Sequence, residues 1–280
     1  MSQVEIRRMT ATTATFTPTA LAMVPIRWPR KFDVLGVEVS ATSYEELVPL
    51  LIDAARNGQP ALATFLPVHG VVTAATDQNY RYRINAFDVV GPDGQPVRWA
   101  LNQLHLKQQA ATLGDRVYGP ELMMRLCATA ATHGVSIYLY GSTPDVLSAL
   151  STKLTDRCPG LRIAGTESPP FRRLTDAETS AVIDRMNASG AGLVFIGLGC
   201  PRQDVFAHDN RHAIKAVQLC VGAAFDFHAG TKKMAPPWMQ KRGLEWLFRL
   251  TQEPGRLWKR YLVTNTTFVA LMAKRLLTGR

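Results

Sequence analysis

From Phe32 onward, short apolar runs alternate with stretches of helix length, and this alternation restricts the chain to an α/β domain with a largely parallel sheet. The candidate strands are residues 33–39, 62–65, 88–90, 136–140, 161–165, 193–197 and 217–221. Helix starts are marked between them. Ser43 precedes Glu45 and Glu46, Thr143-Pro144 opens a segment, and Thr175 with Glu178 spells a capping box. Crossovers of this length imply right-handed βαβ units, whose ligands sit outside the carboxyl ends of the strands. The expected fold is therefore a Rossmann-like, largely parallel sheet flanked by helices. With 280 residues, 46% of them hydrophobic, the chain can bury a full core.

The charge lies elsewhere. Residues 231–280 hold eleven Lys or Arg against two acids, Glu245 and Glu253, and so carry nine of the ten net positive charges. Trp238, Trp246, Leu247, Phe248, Leu257, Trp258, Tyr261 and Leu262 are interleaved with them. A basic segment this rich in aromatic and aliphatic surface reads as a lipid-facing helical appendage on an anionic membrane surface. A nucleic-acid partner would call for basic residues across a groove, and none is expected. Arg249 and Arg256 are seven apart and Arg256 and Arg260 four apart, on one helical face, with Pro254 expected to break the helix between Arg249 and Arg256. Leu257, Tyr261, Phe268, Met272 and Leu276 form an apolar stripe beside them, suited to lipid or to packing on the body. Ala235-Pro236-Pro237 punctuates the passage between the two parts. The expected division is a disordered leader over residues 1–31, an α/β domain over 32–234 and a basic helical appendage over 235–280. Arg7, Arg8 and the stretch after them superficially resemble a signal peptide, but its core is threonine-rich and weakly apolar. Cys127, Cys158, Cys200 and Cys220 are far apart and fit neither a zinc site nor a disulfide framework.

Three segments could carry chemistry. Val194 to Gln203 is a buried strand running into a glycine turn, Gly197-Leu198-Gly199, with Pro201 at the expected first helical position. Such a turn aims backbone N–H groups and a positive helix end at an anion, most often phosphate. As a dinucleotide fingerprint it fails, since Arg202 stands where the third Gly would be. Asp93, in Gly91-Pro92-Asp93-Gly94, is either a turn former or a general base at a strand end. Asp226 is the other such acid, suited to a ribose or to its own loop. Arg116 is suited to a phosphate or to a salt bridge, and His69 and His228 to substrate or to structure. The absence of any Asp-x-Asp leaves phosphate charge to helix ends and arginines.

Five ordered segments then resemble the WecG/TagA/CpsF family, glycosyltransferase family 26, over roughly residues 32–277. They are Pro92-Asp93-Gly94 with Val97-Arg98-Trp99-Ala100; Arg116-Val117-Tyr118-Gly119-Pro120-Glu121-Leu122; Gly197 to Gln203; Gly222 to Gly230; and Pro236-Pro237-Trp238 through Glu245-Trp246-Leu247 to Glu253-Pro254. The resemblance implies an inverting, metal-independent transferase without a cofactor. It would move a sugar (N-acetylmannosamine, its uronic acid or glucose) from a UDP-sugar to a polyprenyl-diphosphate-linked saccharide. The setting implied is bacterial surface or exopolysaccharide assembly, peripheral to the cytoplasmic face of the inner membrane. It makes Asp93 the expected general base, and Gly197, Gly199, Pro201, Gln203, Gly222 and Asp226 the donor site. Arg116, Arg249, Arg256 and Arg260 are assigned to the acceptor diphosphate or the membrane. One segment departs from the pattern: Thr64 to His69 lacks the Asn of a Thr-x-Asn type motif, with Pro67 aligned to it and His69 as a substitute. That loss motivates an alternative, a catalytically degenerate membrane-docked scaffold. The sequence leaves a homo-oligomer open.

Overall fold

A computed structural model describes residues 25–278. Six strands form one parallel sheet in the order β4-β3-β8-β7-β5-β6: β3 (Ala61–Leu66), β4 (Val89–Pro92), β5 (Ile137–Gly141), β6 (Ile163–Glu167), β7 (Leu193–Gly197) and β8 (Val217–Cys220). All five pairings are parallel. Strands β3, β5 and β8 are buried along their whole length, as a sheet covered on both faces requires. One face is packed by α1 (Tyr44–Arg56), α5 (Gly119–His133), α6 (Pro144–Arg157) and α9 (Ala224–Ala229). The other is packed by α2 (Val68–Thr76), α3 (Gln78–Asn85), α4 (Gln95–Leu101), α7 (Asp176–Ala188) and α8 (Arg202–Asp209). The expected caps form: Ser43 accepts from the Glu46 N–H, Thr143 from the Val146 N–H, and Thr175 and Glu178 close a capping box.

One expected strand is corrected. Residues 33–39 are not a single strand but parts of a separate antiparallel hairpin, β1 (Lys31–Val34) with β2 (Val37–Ser40). The chain reverses at Leu35 and Gly36, with φ of 59° and 86°, a two-residue turn whose left-handed geometry matches the twist of the strands. Asp33 Oδ2 accepts the Gly36 N–H at 2.9 Å and fixes it. The expected leader falls mostly outside the described residues; Ile26 and Trp28, at its end, pack on the core under α1 and α5.

After Gly222 and α9 the chain forms three helices: α10 (Pro237–Lys241), α11 (Glu245–Gln252) and α12 (Pro254–Thr278). Pro254 separates the last two, as expected. Helix α12 lies against α2. Leu257 and Phe268 of the apolar stripe are buried, Met272 packs on the core cluster, and Leu276 is exposed. A different face of the same helices leaves Trp238, Leu247, Trp258, Leu262, Val263 and Val269 exposed. Among the described residues no helix is long and apolar enough to cross a membrane.

Candidate active site

A cavity of about 840 Å³ opens over the carboxyl ends of β4, β3, β8, β7 and β5, roofed by α11 and α12. Its size is at the upper end for small-molecule sites and suits two substrates side by side. The close approach of β5 and β7 shapes its floor. At Gly141 φ is 127°, and a Cβ there would lie 2.7 Å from the Gly197 carbonyl carbon; a Cβ on Gly197 would meet the Phe225 ring at 2.6 Å. No other residue type fits at either position without moving its neighbour.

Asp93 follows β4 directly, held by its N–H to the Leu66 carbonyl at 3.2 Å. Its Oδ1 is buried and, among the described residues, has no hydrogen-bond partner. Burial is the main cause that pushes this carboxyl up to about 7; Glu245 adds to the rise, while Arg116, the Gly119 N–H and Arg249 oppose it. A desolvated carboxylate with one unpaired oxygen, tuned near neutrality at a strand end, is the arrangement a general base needs.

Residues 116–118 run beside β4, where the Val117 N–H donates to the Pro92 carbonyl, and so bring Arg116 next to Asp93. Arg116 lines the cavity and is also paired. It pairs with Glu245 from α11, also donates to Gln240, and stacks 4.2 Å over the Tyr118 ring. Sequence reasoning left the choice between phosphate and salt bridge open; the pair with Glu245, 129 residues away, occupies it. Glu245 itself was quoted in a motif but given no role, although one of two acids in a fifty-residue basic stretch was the available signal.

The glycine turn after β7 places Gly199 at φ 78°, and α8 begins at Arg202. Pro201 is the residue before the helix, not its first, and the Cys200–Pro201 peptide is cis. Gln203 Oε1 accepts the Gly199 N–H at 3.1 Å and lies against Gly222, at the wall of the cavity. Behind the turn, buried Asp204 accepts from Thr64 at 2.6 Å and from Tyr80 at 2.8 Å, tying α8 to β3 and α3. Asp226 lines the cavity, but Lys232 lies 3.2 Å from its Oδ2, and its carbonyl accepts the Thr231 and Lys232 N–H groups. His228 is not among the residues lining the cavity; its Nε2 is bonded to the Pro120 carbonyl at 2.8 Å, and its buried Nδ1 has no partner among the described residues. His69 lines the cavity.

The tail supplies the remaining charge. Arg249, Arg256 and Arg260 all line the cavity. Arg256 pairs with Glu253, which also holds Lys232 at 3.4 Å. Arg249 lies 5.9 Å over the Phe227 ring, and the guanidinium groups of Arg249, Arg260 and Arg202 have no acid partner among the described residues. These three cations, Arg202 at the start of α8 and Arg249 and Arg260 in the roof, line one cavity and leave it electropositive. No three His, Cys, Asp or Glu side chains among the described residues converge as a metal site.

A parallel α/β body thus carries a carboxylate at one strand end and a glycine turn at another, both lining one cavity at the carboxyl edge of the sheet. The profile of the glycosyl transferase WecG/TagA/CpsF family matches residues 32–280, and the chain belongs to that family. It is a glycosyltransferase. It is also 30% identical, over 190 residues, to the N-acetylglucosaminyldiphosphoundecaprenol N-acetyl-β-D-mannosaminyltransferase of Bacillus subtilis (strain 168). That match covers 68% of this chain and 70% of the relative.

Proposed function

We propose that this enzyme is an inverting, metal-independent glycosyltransferase that moves a hexosyl group from a UDP-sugar to a polyprenyl-diphosphate-linked N-acetylglucosamine-type acceptor, with N-acetylmannosamine as the first donor sugar to consider. The observation that carries this reading is Asp93, a partnerless buried carboxylate oxygen with its pKa near 7, set between the glycine turn and the tail arginines. Asp93 takes the proton from the acceptor hydroxyl as that oxygen attacks the anomeric carbon. Charge building on the departing UDP is met by the N-terminus of α8, by Arg202 and by the Gln203 amide. Arg249, Arg256 and Arg260 hold the acceptor diphosphate, and Arg116, locked by Glu245, sets the field at the base. Residues 235–280 act as the appendage that brings the lipid-linked acceptor in. The exposed apolar face at Trp258, Leu262 and Val269, beside Lys259, supports docking on an anionic leaflet at the cytoplasmic side of the membrane.

The test is a donor panel. Purified protein is given a short-chain diphosphate-linked N-acetylglucosamine with UDP-N-acetylmannosamine, its uronic acid or UDP-glucose, in EDTA, with vesicles of phosphatidylglycerol in a parallel sedimentation arm. Transfer from one donor, unchanged by EDTA, and vesicle binding that weakens with salt are the expected results. Transfer that EDTA abolishes would remove the metal-independent mechanism.

A further inference from the structure

Thr73 determines which nitrogen of His69 carries the proton. Its hydroxyl lies 2.8 Å from the His69 carbonyl oxygen, one turn back on α2, and 3.1 Å from His69 Nδ1. A hydroxyl has one proton, and a carbonyl oxygen can only accept. The Thr73 oxygen therefore donates to the carbonyl and accepts at the ring, so Nδ1 is the N–H and Nε2 is a bare lone pair. Nε2 has no protein partner among the described residues, on a side chain that lines the cavity. The ring is also neutral across the working range, since burial, then Arg260 and Arg249, bring its pKa down to about 4.

The place of this lone pair is set by two neighbours. The start of α2 abuts the base: a Cβ on Gly94 would lie 3.7 Å from Pro67 Cα. On its other side the charges that act on His69 are Arg260 and Arg249 of the roof. His69 thus lies one turn into a helix whose start abuts the Asp93 turn, within the field of Arg260 and Arg249. Arg249 and Arg260 near it offer only donors, and a ligand N–H or O–H there needs an acceptor that does not compete with Asp93 for a proton.

We propose that His69 Nε2 accepts a hydrogen bond from an N–H or O–H of the acceptor sugar in this cavity, and so helps select that sugar. The inference rests on the transferase reading for its ligand, and on the His69–Thr73 geometry for its chemistry. Steady-state kinetics on His69→Ala and His69→Gln test it, with acceptors carrying either an acetamido or a hydroxyl group at C2. The alanine variant is expected to raise the acceptor KM about five- to tenfold, the value of one hydrogen bond, with donor KM and kcat nearly unchanged. Glutamine, whose Oε1 reaches the place of Nε2, restores most of the loss. If the C2 amide is the donor, alanine also narrows the preference between the two acceptors; if a hydroxyl is, both acceptors weaken equally.

Two measurements keep this separate from turnover. Nitrogen NMR of the ring at neutral pH is expected to show protonated Nδ1 and unprotonated Nε2, and the opposite tautomer would overturn the proposal. Calorimetry with the acceptor alone is expected to show binding that the alanine variant weakens. An unchanged acceptor affinity in that variant, or a wild-type protein that does not bind the acceptor, would overturn it as well. Binding weakened by alanine, in a protein that transfers none of the three donor sugars, would support His69 and refute the proposed donor assignment.

Discussion

Asp93→Asn is expected to lower kcat by 10²- to 10⁴-fold, the usual contribution of a general base, while UDP-sugar affinity stays within a few-fold of wild type. The same substitution should make the protein more stable. Asp93 is pushed from an ordinary 3.8 up to about 7, chiefly by burial. The folded protein thus binds that proton more tightly than the unfolded chain does. Stability falls as pH rises from about 4 to about 7, and above 7 the full cost of the buried charge, on the order of 4 kcal/mol, is present. Asparagine carries no such charge. Its melting temperature should exceed that of wild type by roughly 5–10 °C at pH 8, and the two should converge near pH 4. Thermal melts at the two pH values check this, beside kinetics at pH 8. A variant that loses activity and stability together would point to a structural role for Asp93.

Glu245→Gln is expected to act through the base. Arg116 and Glu245 have only 6% and 16% of their side chains exposed, so removing the acid leaves a buried guanidinium with Gln240 and the Tyr118 ring for company. Breaking such a pair costs about 3–5 kcal/mol, with glutamine at the low end because it keeps an acceptor oxygen. Two effects on Asp93 have the same sign. Glu245 raises its pKa by repulsion, and Arg116, released from its partner, lowers it more. The acid limb of the kcat/KM profile should therefore move down by about one pH unit. Below the wild-type limb the variant gains relative activity; above it the weaker base loses. Profiles of the two proteins that cross between pH 6 and 8 are the expected result, and parallel profiles would show that the pair does not tune the base.

Legibility in the sequence followed the range of the interactions involved. The parallel strands announce themselves because a doubly covered sheet demands continuous apolar runs, as at Leu193 to Gly197. The caps at Ser43, Thr143 and Thr175 are visible because their hydrogen bonds span three residues. The hairpin was hidden because Leu35, a residue that rarely takes positive φ, sits in the turn, and Val34, Val37 and Val39 read as one run through it. Asp93 could be placed at the edge of the sheet from its strand, but its pKa depends on Glu245 and Arg249, more than 150 residues away and brought in by the fold of the tail. For the same reason the sequence left Arg116 between phosphate and salt bridge, and its partner Glu245 became visible only in the fold. His69 was legible as a candidate, but its tautomer follows from Thr73, which only helical geometry sets beside it.

The central claim is a single displacement driven by one carboxylate, and the configuration of the new glycosidic bond tests it most directly. A second carboxylate, Asp226, lines the same cavity and would be the nucleophile in a two-step route. Proton NMR of the product formed from an α-linked UDP-sugar should show the β-anomer from the earliest time point. An α-linked product would mean that configuration is retained, and would contradict the assignment of Asp93 as the base of an in-line attack.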